Sequence, residues 1–233
     1  MRLKIVPMPS PNFNARPEGQ PVDMLVLHYT GMPDAKGALD ILTDGTREKR
    51  VSSHYTLDVD GTIYAHVPEH LRAWHAGVSW WRGRDDVNSR SIGIEIVNPG
   101  HEWGYRDFPK KQIDALIEMC RGILRRHPIP AGNVVGHSDI APGRKVDPGE
   151  KFPWGRLARN GIGVFPQPAR EGVADADVPA ALEAIGYGVA PETDKALDVV
   201  LTEFQRRFRT RIIDGVADDE TRRMLAAVKR ATG

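Results

Sequence analysis

Hydrophobic positions in this chain fall into short blocks of two different periods. Val22 to His28 (VDMLVLH) is an apolar run of strand length, apolar towards both sides as in a central strand of a covered sheet. Ser91 to Val97 (SIGIEIV) alternates, with Ile92, Ile94 and Ile96 on one face and Gly93, Glu95 and Val97 on the other. That alternation puts a carboxylate on a sheet face among apolar neighbours. Tyr55 to Val59 and Thr62 to Val67 flank Asp60-Gly61, a hairpin signal because glycine supplies the positive φ of a tight turn. Asn133 to His137 (NVVGH) predicts one more short strand, running into a loop over Ser138 to Pro153.

Helical periods alternate with these strands. Ala35 to Thr43 predicts a short amphipathic helix, and Lys110 to His127 a longer one. In the longer helix Ile113, Leu116, Ile117, Cys120, Ile123 and Leu124 recur at helical spacing, and Pro128 ends it. Met1 to Pro21 reads as a proline-rich lead. Phe165-Pro166-Gln167-Pro168 reads as a stiff linker. Beyond it, Pro179 to Ile185, Asp194 to Phe208 and Asp218 to Val228 predict three helices, with Asp214-Gly215 as a turn. The expectation is an α/β region over residues 1–165 and a small three-helix domain over 172–233. A helical module of about 60 residues has little room for a catalytic pocket.

Composition narrows the function classes. Hydrophobic residues at 40% and charged residues at 27% of 233 suit a globular enzyme. A net charge of +1 provides no bulk attraction to nucleic acid or an anionic membrane, so neither is an expected partner. The single cysteine, Cys120, excludes an internal disulfide and sits where a buried structural thiol is expected. No run approaches the roughly 20 apolar residues of a membrane span. Met1 to Pro21 also lacks the apolar core of a signal peptide, so a cytoplasmic location is expected, or a periplasmic one if an export signal had been removed.

Two of the eight histidines stand apart. His28 and His137 each close a predicted strand, and strand C-terminal ends in α/β sheets are where ligand sites collect and are held rigidly. Asp147 follows His137 by ten residues. Two imidazoles and one carboxylate on a divalent ion leave a fourth position for water, the catalytic rather than the closed structural zinc pattern. By spacing alone Asp139 competes with Asp147. The alternative use of Asp139 is to bond backbone amides of its own turn.

The runs RVSSHYTLDVDGTIY, LRAWHAGVSWWRG, NSRSIGIEIVNPG and GHSDIAPGRKVDPG occur in this order. Together they resemble the type-2 N-acetylmuramoyl-L-alanine amidase family, which is related to the peptidoglycan-recognition proteins and phage amidase lysozymes. The resemblance covers Asp23 to about Trp154. It implies a central mixed β-sheet flanked by helices and one zinc ion per chain held by His28, His137 and Asp147. It further implies Glu95 as the acid–base residue and Lys145 as the cation facing the oxyanion. AWHAG would line the substrate cleft through Trp74 and His75, with Trp80, Trp81 and Arg84 extending that wall. One of these tryptophans could equally serve the core. His54 and Tyr55 carry no assigned role. The tail, with FQRRF, DG and TRRML, is similar to three-helix peptidoglycan-binding domains.

The expected activity is therefore hydrolysis of the amide between the lactyl group of N-acetylmuramic acid and L-alanine, by a monomer. The substrate would be peptidoglycan or soluble (anhydro)muropeptides, in wall degradation or recycling. A non-catalytic recognition module of the same fold is the alternative, and a zinc peptidase of other specificity a further one.

Overall fold

The computed structural model describes residues 3–233. In chain order the strands are β1 (Lys4–Pro7), β2 (Phe13–Ala15), β3 (Met24–Tyr29), β4 (Tyr55–Leu57), β5 (Thr62–Ala65), β6 (Leu71–Ala73), β7 (Ser91–Ile96) and β8 (Val134–Gly136). The helices are α1 (Ala35–Thr43), α2 (Lys110–Arg126), α3 (His137–Ile140), α4 (Trp154–Ala158), α5 (Val178–Ile185), α6 (Leu197–Phe208) and α7 (Asp219–Thr232). Six strands form one mixed sheet in the order β1-β5-β4-β7-β3-β8, in which only β4 and β5 pair antiparallel. β2 and β6 form a separate antiparallel pair.

The period-2 patterns decide what each face covers. Leu25 and Leu27 of β3, Ile92, Ile94 and Ile96 of β7 and Val134 of β8 point to one side. There they pack on Ile113, Leu116, Cys120 and Ile123 of α2. Cys120 is fully buried in that layer, and burial pushes its thiol up to about 12, which leaves it inert at neutral pH. Met24 and Val26 of β3 and Val135 of β8 point to the other side, as do His28 and Glu95.

The tail helices lie where the sequence periods put them, and they cover this second face. Leu182, Ile185, Phe204, Leu225 and Val228 belong to one buried cluster with Met24, Val26, Val135, Trp81 and Ile140. Residues 172–233 thus share a core with residues 1–165. Tyr187 meets Trp81 edge-to-face at 5.1 Å, and Arg82 donates to the Thr232 carbonyl at 2.9 Å. Among the described residues no helix is long and apolar enough to cross a membrane.

Three local features differ from the sequence reading. The proline-rich lead supplies β1, which pairs parallel with β5 from Lys4↔Thr62 to Pro7↔Ala65. Its four residues are mostly exposed at a sheet edge, so no apolar period marks it; Met1 and Arg2 lie outside the described residues. The last predicted strand stops one residue short, at Gly136. The Asp139 carboxylate accepts the Gly136 N–H at 2.7 Å and starts a helix at His137 instead. The third helix runs on past Val228 to Thr232. The β4–β5 turn is as expected, with Gly61 at φ +83° and Asp60 Oδ1 accepting from the Thr62 N–H at 2.8 Å.

Candidate metal centre and cleft

β3, β7 and β8 are parallel neighbours, so their C-terminal ends come together at one edge of the sheet. His28 lies near the end of β3, directly across from Glu95 on β7, and His137 immediately follows β8. The loop after α3 returns with Asp147, whose carbonyl accepts the Ser138 N–H at 2.9 Å. His28 Nδ1 is 2.9 Å from His137 Nδ1 and 3.2 Å from Asp147 Oδ2, and His137 Nδ1 is 3.1 Å from the same oxygen. Among the described residues these three buried side chains form the cluster able to hold a metal ion. Asp139 is not in it. Its carboxylate takes the amide of its own turn, as its alternative reading required.

The donor set fits a cation. His137 Nε2 faces the Ala76 carbonyl at 3.0 Å, and a carbonyl can only accept, so the ring N–H lies there. The Nδ1 lone pair is then aimed at a second imidazole and a carboxylate, an unfavourable meeting unless a positive ion lies among them. A tetrahedral ion with ligand bonds of about 2.0–2.1 Å separates its donors by about 3.3 Å, close to what is found.

Burial dominates the electrostatics. It pushes His28 down to about 4, with His137 adding to the effect, so His28 is neutral and ready to ligate. Burial alone would raise the Asp147 carboxyl. The two imidazoles outweigh it and hold Asp147 well below the usual carboxylate range. For Glu95, burial and then the Asp147 charge push the carboxyl well up, against a smaller opposing pull from Lys145. Glu95 Oε1 is 4.0 Å from His28 Nδ1, and its buried Oε2 has no hydrogen-bond partner among the described residues.

A cleft of about 500 Å³ opens over this floor, with Tyr29, Trp74, His101, Arg144 and Lys145 in its walls. Lys145 is half-buried beside the cluster, and Trp74 presents its ring from the side, with its indole N–H on Asn14 Oδ1 at 2.7 Å. His75 touches the cleft but is 8% exposed, and both ring nitrogens are engaged inside the protein: Nδ1 with His28 and Nε2 with Ser91. Expected as a substrate contact, it is turned towards His28. Trp80 lines a neighbouring hollow with Ile140 and Pro142. Arg84 bonds Gln20 Oε1 at 2.6 Å, away from the cleft walls. Trp81 is the tryptophan that serves the core. His54 is fully buried and accepts the Gly93 N–H, and Tyr55 donates to Glu69.

Sequence reasoning passed over Asn88, Ser91 and Arg144, which hold the loop behind the histidines. Arg144 donates to the carbonyls of Ala76 and Val78. All three sit in the quoted motif runs, Asn88 and Ser91 in NSRSIGIEIVNPG and Arg144 in GHSDIAPGRKVDPG, but nothing in the sequence says which partner each one reaches.

Residues 18–150 match the family model described as N-acetylmuramoyl-L-alanine amidase. The N-acetylmuramoyl-L-alanine amidase AmiD of Escherichia coli (strain K12) is 38% identical over 236 residues, spanning 91% of this chain and 84% of that protein. The 1,6-anhydro-N-acetylmuramyl-L-alanine amidase AmpD of Citrobacter freundii is 36% identical over 165 residues, spanning 64% of this chain and 86% of its own length. The crystal structure of AmpDh3 from Pseudomonas aeruginosa in complex with anhydromuramic pentapeptide superposes with a TM-score of 0.81. It is 38% identical and covers 92% of this chain and 93% of that one. With the motif runs in order, the sheet edge built as they imply and likeness extending through the tail, the chain belongs to the N-acetylmuramoyl-L-alanine amidase family.

Proposed function

We propose that this chain uses one zinc ion, held by His28, His137 and Asp147, to hydrolyse the amide between the lactyl group of N-acetylmuramic acid and L-alanine. The observation that carries this reading is the meeting of two Nδ1 atoms and Asp147 Oδ2 within 2.9–3.2 Å, beside Glu95, whose Oε2 has no hydrogen-bond partner among the described residues. AmpDh3 is named in complex with an anhydromuramic pentapeptide, and soluble anhydromuropeptides are the proposed substrates here, in wall turnover or recycling.

Zinc in such a site lowers the pKa of bound water to about 7 and so supplies a nucleophile strong enough for an unactivated amide. Glu95, with its free Oε2 turned to this site, accepts the proton given up by the attacking water and passes it to the leaving L-alanine nitrogen. Lys145 brings its ammonium to the oxyanion that develops at the lactyl carbonyl. Trp74 offers a flat apolar wall to the sugar or the peptide.

Residues 172–233 add a wall-attachment point in this proposal. Retention of the Glu95→Gln protein on sacculi, with the cleft saturated by soluble muropeptide, tests it. Complete displacement would leave the cleft as the binding site and the tail without this role.

The activity is tested by metal analysis of purified protein and mass analysis of digested muropeptides. About one zinc per chain, loss of cleavage with a chelator and release of intact stem peptide are expected. Binding without cleavage would instead indicate a recognition module, and cleavage within the stem a peptidase.

A further inference from the structure

We propose that His75, backed by Ser91, is a positioning residue that fixes which nitrogen of His28 faces the metal. This rests on the reading of His28 as a ligand. One buried chain of hydrogen bonds, from Val87 through Ser91 and His75 to His28, fixes where each proton lies.

The chain ends on the Val87 carbonyl, which can only accept. Ser91 Oγ lies 2.7 Å from it and must spend its single proton there. Ser91 Oγ can then only accept from His75 Nε2, 3.1 Å away, so the N–H of His75 is on Nε2. A neutral ring carries one N–H, which leaves His75 Nδ1 as an acceptor. The group facing it at 3.1 Å is His28 Nε2, which must donate. His28 Nδ1 is therefore left with its lone pair exposed, and Nδ1 is the atom that faces His137 and Asp147. One backbone carbonyl, read through two side chains, sets the tautomer of His28.

Two further features are shaped to this arrangement. A Cβ built on Gly93 would lie 2.4 Å from the His75 ring, so only glycine at that point of β7 leaves space for the imidazole beneath His28. The backbone of the same loop is pinned by Asn88, whose Oδ1 accepts the N–H groups of both His75 and Ala76, at 3.0 and 2.8 Å. Ala76 in turn offers its carbonyl to His137 Nε2. Two adjacent residues thus orient both histidines, one through a side chain and the other through a backbone oxygen. Partners of this kind raise ligand basicity and hold the ring in place, and losing one commonly costs 10–100-fold in metal affinity.

The test uses the full-length protein loaded with zinc, with affinity measured by competition against a chromophoric chelator. His75→Ala is expected to weaken zinc binding by about 10–100-fold. Ser91→Ala, a change of one oxygen, should weaken it in the same direction by a smaller factor, and Ser91→Thr should restore it. Ring ¹⁵N spectra provide a second readout. Wild type should show a protonated Nε2 on His28, and Ser91→Ala a mixture of tautomers at His75. Should His75→Ala not fold, Ser91→Ala and its spectra decide. A Ser91→Ala protein with a lower melting temperature but unchanged zinc affinity and unchanged ring spectra would overturn the proposal. Wild-type protein that binds zinc but cuts no muropeptide would sink the proposed activity and leave this inference intact. Wild-type protein that binds no zinc would sink both.

Discussion

Arg207 of α6 donates from Nη1 to Asp139 Oδ2 across 2.6 Å, with both side chains buried. Tyr187 donates to the other carboxylate oxygen at 2.5 Å. Asp139 also holds the first turn of α3, which begins with His137, so the tail reaches a metal-ligand candidate through one carboxylate. Removing one partner of a buried ion pair leaves the other charge uncompensated, typically at about 3–5 kcal/mol. Arg207→Leu is therefore expected to lower the melting temperature and to reduce zinc retention together. Unchanged zinc affinity in a folded Arg207→Leu protein would break the link between tail and site.

A chain ending near Phe165 should be affected on every substrate. It would bare Met24, Val26, Val135 and Ile140, which the tail helices cover. A loss on soluble muropeptide is expected from the bared core, and a larger one on sacculi, where the proposed attachment point goes as well. Retained turnover on the soluble substrate, with loss confined to sacculi, would show that the shared core is dispensable.

The two aspartates near His137 should separate cleanly. Asp147→Ala removes one of three proposed ligands and should strip most of the zinc. Asp139→Asn keeps the shape of the turn but loses the charge facing Arg207, and should lower stability and weaken zinc retention far less than Asp147→Ala does. Metal content after gel filtration checks both, and the reverse pattern would reassign the ligand.

Glu95→Gln keeps the side-chain volume but cannot take a proton. It should retain zinc and lose kcat by roughly 10²–10⁴-fold. Lys145→Ala should cost on the order of 10²–10³-fold through lost oxyanion stabilisation. Near-normal turnover in either would remove that residue from its proposed role.

Glu203 predicts a pH dependence of stability. Burial pushes its carboxyl from the usual 4.5 up to about 7, although Arg206 donates to it at 2.8 Å. The folded state therefore binds a proton that the unfolded state has released. The stability this adds is complete below about pH 4.5 and is lost as pH rises through 7. Melting curves from pH 5 to 8 should fall more steeply for wild type than for Glu203→Gln. Parallel profiles would show that Glu203 is ionised throughout.

Much of the site was legible because its parts announce themselves locally. The Ile92, Ile94, Ile96 alternation by itself assigns Glu95 to the face opposite α2, and the runs ending at His28 and His137 mark strand ends. The choice of Asp147 over Asp139 rested on likeness, because a ten-residue loop can deliver either carboxylate. Other parts had no local signature. β1 and β2 are short and largely exposed, so no apolar period betrays them. His75 looked like a cleft residue because its partner His28 is 47 positions away, and Ser91 gives no hint of the ring above it. The tail periods gave helices correctly but said nothing of what their apolar faces cover.

β8 has one neighbour in the sheet, β3, and arrives late: 109 positions separate His28 from His137. A ribosome delivers His28 early, His137 much later and Arg207 later still. Until β8 docks, the edge of β3 is open and His28 has no second imidazole beside it. Docking must also close a long span of chain, at an entropic cost that the last-made contacts offset. A half-synthesised chain accordingly carries five of the main sheet's six strands and His28, but neither His137 nor Asp147. On the proposed ligand set, hydrolytic competence would come only with the final strand and the loop after it, so a growing chain would have no partial activity to turn on anything it meets.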